Sequence, residues 1–244
     1  MTGVDDSAVA RGRGRRSPNL TSEDASRLER CLAGDGVALI PTDTVYGLAC
    51  KPDSARALRR IYELKRRQPR KPAAVMFFSL QAALATLTEL GPRTRAATEA
   101  LLPGPVTLLL ANPRGRYLGA CAPSGDGRGL LGLRVPVLTG SLAFLATVTV
   151  PAAQSSANFA GGADPRVLSE VPAQLREGVD LVIDGGDLPG AASTVVDLST
   201  YEENGSWRVV REGPVDTHSL VRWLRSCPDD GWFVEIESES TDAL

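Results

Sequence analysis

The sequence predicts an α+β domain of the three-layer α/β type, in which a twisted mixed β-sheet is flanked by helices. Three observations predict it. Helical and extended patterns alternate through the middle of the chain, each short enough for a compact domain. Several extended segments are joined by loops too short to hold a crossover helix, so some neighbours must run antiparallel and the sheet must be mixed. Glycine and proline, 24 and 17 residues, gather in the connections, where tight backbone turns need them.

Residues 1–18, with Arg11, Arg13, Arg15 and Arg16 among glycines, have little to bury and read as a disordered arm. The domain is expected over 19–226. A helix from about Ser22 to Ala33 puts Leu28, Cys31 and Leu32 on one face and stops at Gly34, and Val37 to Ile40 is a buried strand. Asp53 is expected to cap a second helix whose Ala57, Leu58, Ile61 and Leu64 face inward. Ala74 to Phe78 reads as a strand. Ser79 caps a third helix to about Leu90, and a fourth runs from Pro92 to Leu102, where Pro103-Gly104-Pro105 ends it. Val106 to Leu110 is extended, and the glycine-rich stretch Asn112 to Arg128 is a candidate lid. Leu130 to Val135 and Leu181 to Ile183 resemble central strands. Thr194 to Leu198 and Trp207 to Arg211 add two more, and Asp216 caps a last helix through Trp223. Residues 227–244 collect acidic side chains after the last basic one, Arg225, and read as a frayed tail.

Composition narrows the function. A chain of 244 residues with 43% apolar residues, 23% charged residues and a formal charge of −2 is an ordinary globular protein, so any polyanion must be bound locally. No apolar run approaches the ~20 residues that span a bilayer, and the Arg-rich start is not followed by an apolar segment, which leads to the expectation of a cytoplasmic protein with no membrane partner. Four dispersed cysteines without a CxxC pair suggest neither a zinc site nor a disulfide framework. With a single histidine, His218, a His-based triad or multi-His metal centre has almost no material.

The chemistry-bearing stretches lie at element ends. Pro41-Thr42-Asp43-Thr44-Val45-Tyr46-Gly47-Leu48 presents hydroxyls and a carboxylate directly after a strand, either to a small polar ligand or as a simple strand cap. Lys65-Arg66-Arg67-Gln68-Pro69-Arg70-Lys71-Pro72 is a proline-stiffened basic run. It suits a polyphosphate clamp, or a solvated helix end complementing the dipole. Arg134 lies inside an otherwise apolar strand and must meet an anion there, a protein carboxylate or a substrate's. Ser155-Ser156-Ala157-Asn158, taken as a tight turn, either reads a nucleotide or closes the chain reversal.

In this order, Pro41–Leu48, the basic run, Pro103-Gly104-Pro105-Val106-Thr107, Arg134-Val135-Pro136, Ser155–Asn158, Asp184-Gly185-Gly186, Ser193-Thr194-Val195-Val196-Asp197 and Arg211-Glu212-Gly213-Pro214 resemble the YrdC family of threonylcarbamoyl-adenylate synthases. The resemblance covers roughly three quarters of the chain between Pro41 and Val215 and implies the short, single-domain type, with a YrdC-like sheet enclosing a basic cavity. It implies that the amine of L-threonine captures bicarbonate or CO2, and that the carbamate attacks the α-phosphate of ATP with loss of pyrophosphate. Lys65 and Arg67 are then the catalytic cations on the phosphates or carbamate. Thr44, Arg134 and Ser193 hold threonine, and Lys71, Thr107, Ser156, Asn158 and Arg211 join Lys65 and Arg67 on the ATP side. Mg2+ arrives with ATP, and a downstream tRNA threonylcarbamoyl transferase complex takes the product. Met76 stands where the family often has a histidine near the threonine pocket, and Leu102 where a tryptophan is usual.

Two other readings stay open at this point. One keeps the fold and changes the carbamoyl or acyl substrate. The other is an RNA-binding module that uses the basic cavity and the Arg-rich arm for weak, salt-sensitive attraction.

Overall fold

A computed structural model of the chain describes residues 19–66, 73–121, 127 and 129–226. The arm at 1–18, Arg67, Lys71 and the tail at 227–244 lie outside the described residues. In chain order the elements are α1 (Ser22–Ala33), β1 (Val37–Ile40), β2 (Gly47–Cys50), α2 (Ala55–Leu64), β3 (Ala74–Met76), α3 (Leu80–Thr86), α4 (Pro92–Leu101), β4 (Val106–Ala111) and β5 (Leu130–Arg134). There follow β6 (Ala152–Ser156), α5 (Ala173–Glu177), β7 (Leu181–Val182), β8 (Thr194–Asp197), α6 (Tyr201–Asn204), β9 (Arg208–Arg211) and α7 (Thr217–Arg225), with 3-10 turns at Leu118–Ala120, Gly140–Thr147 and Leu168–Glu170.

The nine strands form one sheet in the order β7-β1-β2-β6-β3-β5-β4-β8-β9. It is mixed, as expected: β1 is parallel to β7, β3 to β5 and β4 to β8, and the other neighbours are antiparallel. Its interior is continuous with the helices through Leu28, Leu32, Leu39, Leu48, Ile61, Val75, Leu108 and Leu133, all at most 1% exposed. Among the described residues no helix is long and apolar enough to cross a membrane.

Helix α1 begins on a capping box in which Thr21 and Asp24 satisfy each other's backbone donors, the local chemistry that starts a helix at Ser22. The cap of α2 is Ser54, whose hydroxyl accepts from Ala57 N at 3.2 Å, and not Asp53 as the sequence suggested. The third helix ends at Thr86 instead of near Leu90. Leu87 leaves the helical region, and a turn closed by Leu90 N to Leu87 O follows before Pro92 opens α4.

Three strand expectations are corrected. Strand β3 stops at Met76, although Phe77 N still reaches Arg134 O at 2.9 Å. Strand β7 is an edge strand of two residues, because the chain beyond Ile183 turns away toward Tyr46. Ser155 and Ser156, expected in a tight turn, belong instead to strand β6. Hydrogen-bonded neighbours on both sides, β2 and β3, override the low strand preference of Ala-Ala-Gln-Ser-Ser. Strand β2 went unread because Gly-Leu-Ala-Cys shows no alternation. The described part of the expected lid, 112–121, is tied down by Asn112, which donates to Arg116 O and accepts from Arg116 N.

Candidate active site

Strand pairing sets out the site. Met76, Arg134, Thr107, Val195 and Arg211 stand at one level across β3-β5-β4-β8-β9, paired one to the next. Opposed residues in a sheet point to the same face, so the side chains of this row share one side.

Arg134 is 2% exposed, and its Nη1 donates to Val106 O at 3.2 Å. Its Nη2 donates to Thr44 Oγ1 at 3.0 Å and to the Asp43 carboxylate, so the anion that the apolar strand demanded is here a protein one. Asp43 also accepts from Val137 N at 3.0 Å, tying the end of β5 to the loop after β1. Burial pushes the Asp43 carboxyl up, against the pull of Arg134, and burial pulls the Arg134 guanidinium down, with Asp43 opposing. Desolvation dominates for both partners, as it should for an ion pair removed from water. Thr42 shapes the loop from within: its hydroxyl donates to Val45 O at 2.8 Å and accepts from the amides of Thr44 and Val45.

One strand further, the hydroxyls of Thr107 and Ser193 lie 2.8 Å apart. Arg211 donates to Ser193 O at 2.8 Å and to Ser193 Oγ at 3.3 Å, which anchors an otherwise exposed guanidinium beside the row. Its charge is close enough to push Arg134 further down.

The third cluster is built at the end of α2. Lys65 is 1% exposed, and its ammonium donates to Asn158 Oδ1 at 3.0 Å and to the carbonyl of Ser156. Asn158 is the knot of this loop. It accepts from Ser156 Oγ at 2.8 Å and donates to Gly162 O at 2.5 Å and Asp164 Oδ1 at 3.1 Å. The backbone joins this cluster to the Thr42–Tyr46 loop, since Ala157 N donates to Tyr46 O at 2.8 Å and Tyr46 N to Pro165 O at 2.9 Å.

Tyr46 closes the remaining side. Its hydroxyl donates to Asp184 Oδ1 at 3.0 Å and Gly186 O at 2.9 Å and accepts from Gly185 N, which fixes the Asp184-Gly185-Gly186 turn. Burial, with the adjacent carboxylate, raises this phenol far above its usual range, so it remains a donor. Thr44, Lys65, Thr107, Arg134, Ser156, Asn158, Ser193 and Arg211 are thus drawn into three linked clusters. Asp43, Tyr46 and Asp164 are components that sequence reasoning had not selected. Asp43 had been visible only as the middle of a Thr-Asp-Thr turn. His218 is exposed on α7 and takes no part. Among the described residues no group of three His, Cys, Asp or Glu side chains is placed to hold a metal ion.

A nine-stranded mixed sheet carrying its polar groups in this way is the YrdC-like architecture. Residues 30–213 match the profile of the Sua5_yciO_yrdC family, described as "Telomere recombination", and the chain belongs to that family. It is 32% identical over 191 residues to the threonylcarbamoyl-AMP synthase of Rattus norvegicus, a match over 75% of this chain and 64% of the rat protein. It is 29% identical over 194 residues to the putative threonylcarbamoyl-AMP synthase of Mycobacterium tuberculosis H37Rv, over 77% of this chain and 83% of the relative. The chain therefore spans less than two thirds of the mammalian protein. Among solved structures, Pyrococcus abyssi Sua5 complexed with L-threonine superposes with a TM-score of 0.72 at 22% identity, over 85% of this chain and 59% of that one. Escherichia coli YciO superposes with a TM-score of 0.68 at 24% identity, over 84% and 96%. These two likenesses concern the fold.

Proposed function

We propose that the chain is an L-threonylcarbamoyladenylate synthase, which makes threonylcarbamoyl-AMP and pyrophosphate from L-threonine, bicarbonate or CO2 and ATP. The observation that carries this reading is the pairing of two buried cations in one site. Lys65 is fixed by Ser156 and Asn158, and Arg134 is set beside Thr44. The first suits phosphate oxygens and the second a carboxylate. The names carried by the relatives support the same reading.

In the proposed reaction the threonine amine forms an N–C bond to CO2 and loses a proton. A carbamate oxygen then bonds to the α-phosphorus, and the bond from that phosphorus to the bridging oxygen of the β-phosphate breaks, so that pyrophosphate leaves. Two anions must meet, which calls for neutralisation and alignment more than for a protein nucleophile. Arg134, Thr44 and Ser193 are assigned to threonine. Lys65, with Arg67, is assigned to the phosphates and carbamate, and Lys71, Thr107, Ser156, Asn158 and Arg211 to the nucleotide. Mg2+ is assigned to the nucleotide as part of MgATP, since the described residues offer no carboxylate cage for it. The product is destined for adenosine modification in tRNA by a separate transferase complex, in a cytoplasmic setting.

A second reading, another carbamoyl or acyl substrate on the same fold, is favoured by Met76, an apolar side chain 1% exposed and paired in register with Arg134. Mass spectrometry of protein incubated with MgATP, bicarbonate and L-threonine separates the two. Threonylcarbamoyl-AMP formed only in the complete mixture supports the synthase. Its absence from folded, ATP-binding protein overturns that reading in favour of another acyl acceptor.

A further inference from the structure

Gln154 lies in the middle strand of the site and has been given no part in it. On β6 it pairs with Ala49 on one side and Ala74 on the other. Ser156, two residues on, shares its face, and so does Met76, its diagonal neighbour on β3, which in turn pairs with Arg134. The position therefore falls between the Lys65–Ser156–Asn158 cluster and the Arg134 row.

Its side chain is aimed. A β-carbon at Gly47 would collide with the Gln154 amide, so the side chain lies along β2 over the Gly47 α-carbon. Gly47 pairs with Ser156 and begins β2, directly after the Thr42–Tyr46 loop. Gln154 is 8% exposed, and among the described residues its amide makes no hydrogen bond. Nor is that amide sealed in: among the described residues its atoms are not fully enclosed. It therefore opens onto accessible space. A buried amide normally finds a partner, and one held without it in a binding site awaits a ligand. Its immediate neighbours on this face, Ala49, Ala74 and Gly47, carry no hydrogen-bonding side chain, and the Met76 thioether is a weak acceptor.

We infer that Gln154 is a specificity residue that reads the planar carbamate of the acyl substrate. A carbamate offers an N–H and an oxygen side by side, and a primary amide returns a carbonyl acceptor and an N–H donor in the same plane. The amide is neutral, so it can lie between the two cationic clusters without cancelling either. This inference rests on the synthase reading.

The test uses the full chain and begins with threonylcarbamoyl-AMP formation by the unchanged protein. Gln154→Met keeps the length and bulk over Gly47 and removes only the amide. Gln154→Asn keeps an amide on a shorter stem. For Gln154→Met we expect unchanged or higher thermal stability, an apparent KM for threonine and bicarbonate raised about ten-fold or more, and an apparent KM for ATP within about two-fold, as for loss of one substrate hydrogen bond. Gln154→Asn should recover part of the loss. Unchanged kinetics in Gln154→Met, with or without a gain in stability, would overturn the inference and leave the synthase intact, as would an effect confined to ATP. No product from the unchanged protein would overturn both.

Discussion

Lys65 Nζ stands 3.0 Å from Asn158 Oδ1 and so ties the end of α2 to the loop that follows β6. Both oxygens in these two contacts, the Asn158 amide and the Ser156 carbonyl, are neutral and do not cancel the ammonium charge. Lys65→Met is expected to lower turnover, measured as pyrophosphate release, by about 10²-fold or more, the scale for removing a preorganised charge from a reaction centre. Its melting temperature should change little, since an apolar side chain replaces a buried ammonium. Parallel losses of activity and fold would contradict this.

The Asp43–Arg134 pair behaves differently because both partners are charged. Asp43→Asn leaves a guanidinium in the interior without its carboxylate, for a cost of about 3 kcal/mol or more in urea unfolding. Replacing both, with Arg134→Met added, should be less destabilising than the sum of the single changes. Strict additivity in the double-mutant cycle would show that the pair is not coupled.

Gly213 stands where a β-carbon would come within 2.6 Å of the Ser193 carbonyl carbon and still closer to the Thr194 amide. Backbone cannot yield as a side-chain tip does, so Gly213→Ala should destabilise by about 1–3 kcal/mol. It should also weaken nucleotide binding, because the displaced segment carries the carbonyl that Arg211 grips. Wild-type stability in Gly213→Ala would refute the packing argument.

Asp180 gives a pH dependence of known sign. Its carboxylate accepts from Arg60 at 2.6 Å and from Val37 N at 2.8 Å, and chiefly through Arg60 its pKa is held below the ordinary 3.8. The stabilisation is therefore present above that value and disappears as pH falls through the lower folded-state value. The stability gap between wild type and Asp180→Asn should be constant near neutrality and should close below about pH 4. With both side chains well exposed, the contribution of the ion pair is under about 1 kcal/mol. A gap that widens on acidification would contradict the assignment.

What the sequence made readable was local. Helix α1, strand β1 and Pro92 at the start of α4 follow from caps and periodicity, and Arg134 announced itself as a charge among Leu131, Leu133 and Val135. Asp43 was unreadable as its partner because the two are far apart in sequence, and a Thr-Asp-Thr turn explains itself locally. Strand β6 was misread because Ala-Ala-Gln-Ser-Ser becomes a strand only between β2 and β3, and with it the orientation of Gln154 was lost. Arg67 and Lys71 lie outside the described residues, so the basic run is represented in the site by Lys65.

Four of the bonds that assemble the site join distant parts of the chain. Arg134 meets Thr44 across 90 residues, Thr107 meets Ser193 across 86, Lys65 meets Asn158 across 93 and Tyr46 meets Asp184 across 138. On a ribosome adding roughly 5–20 residues per second, Tyr46 waits roughly 7–28 s for Asp184 to be synthesised. A nascent chain that has not reached Asp184, or a proteolytic fragment that stops before it, therefore holds cations and hydroxyls without the contacts that assemble the site.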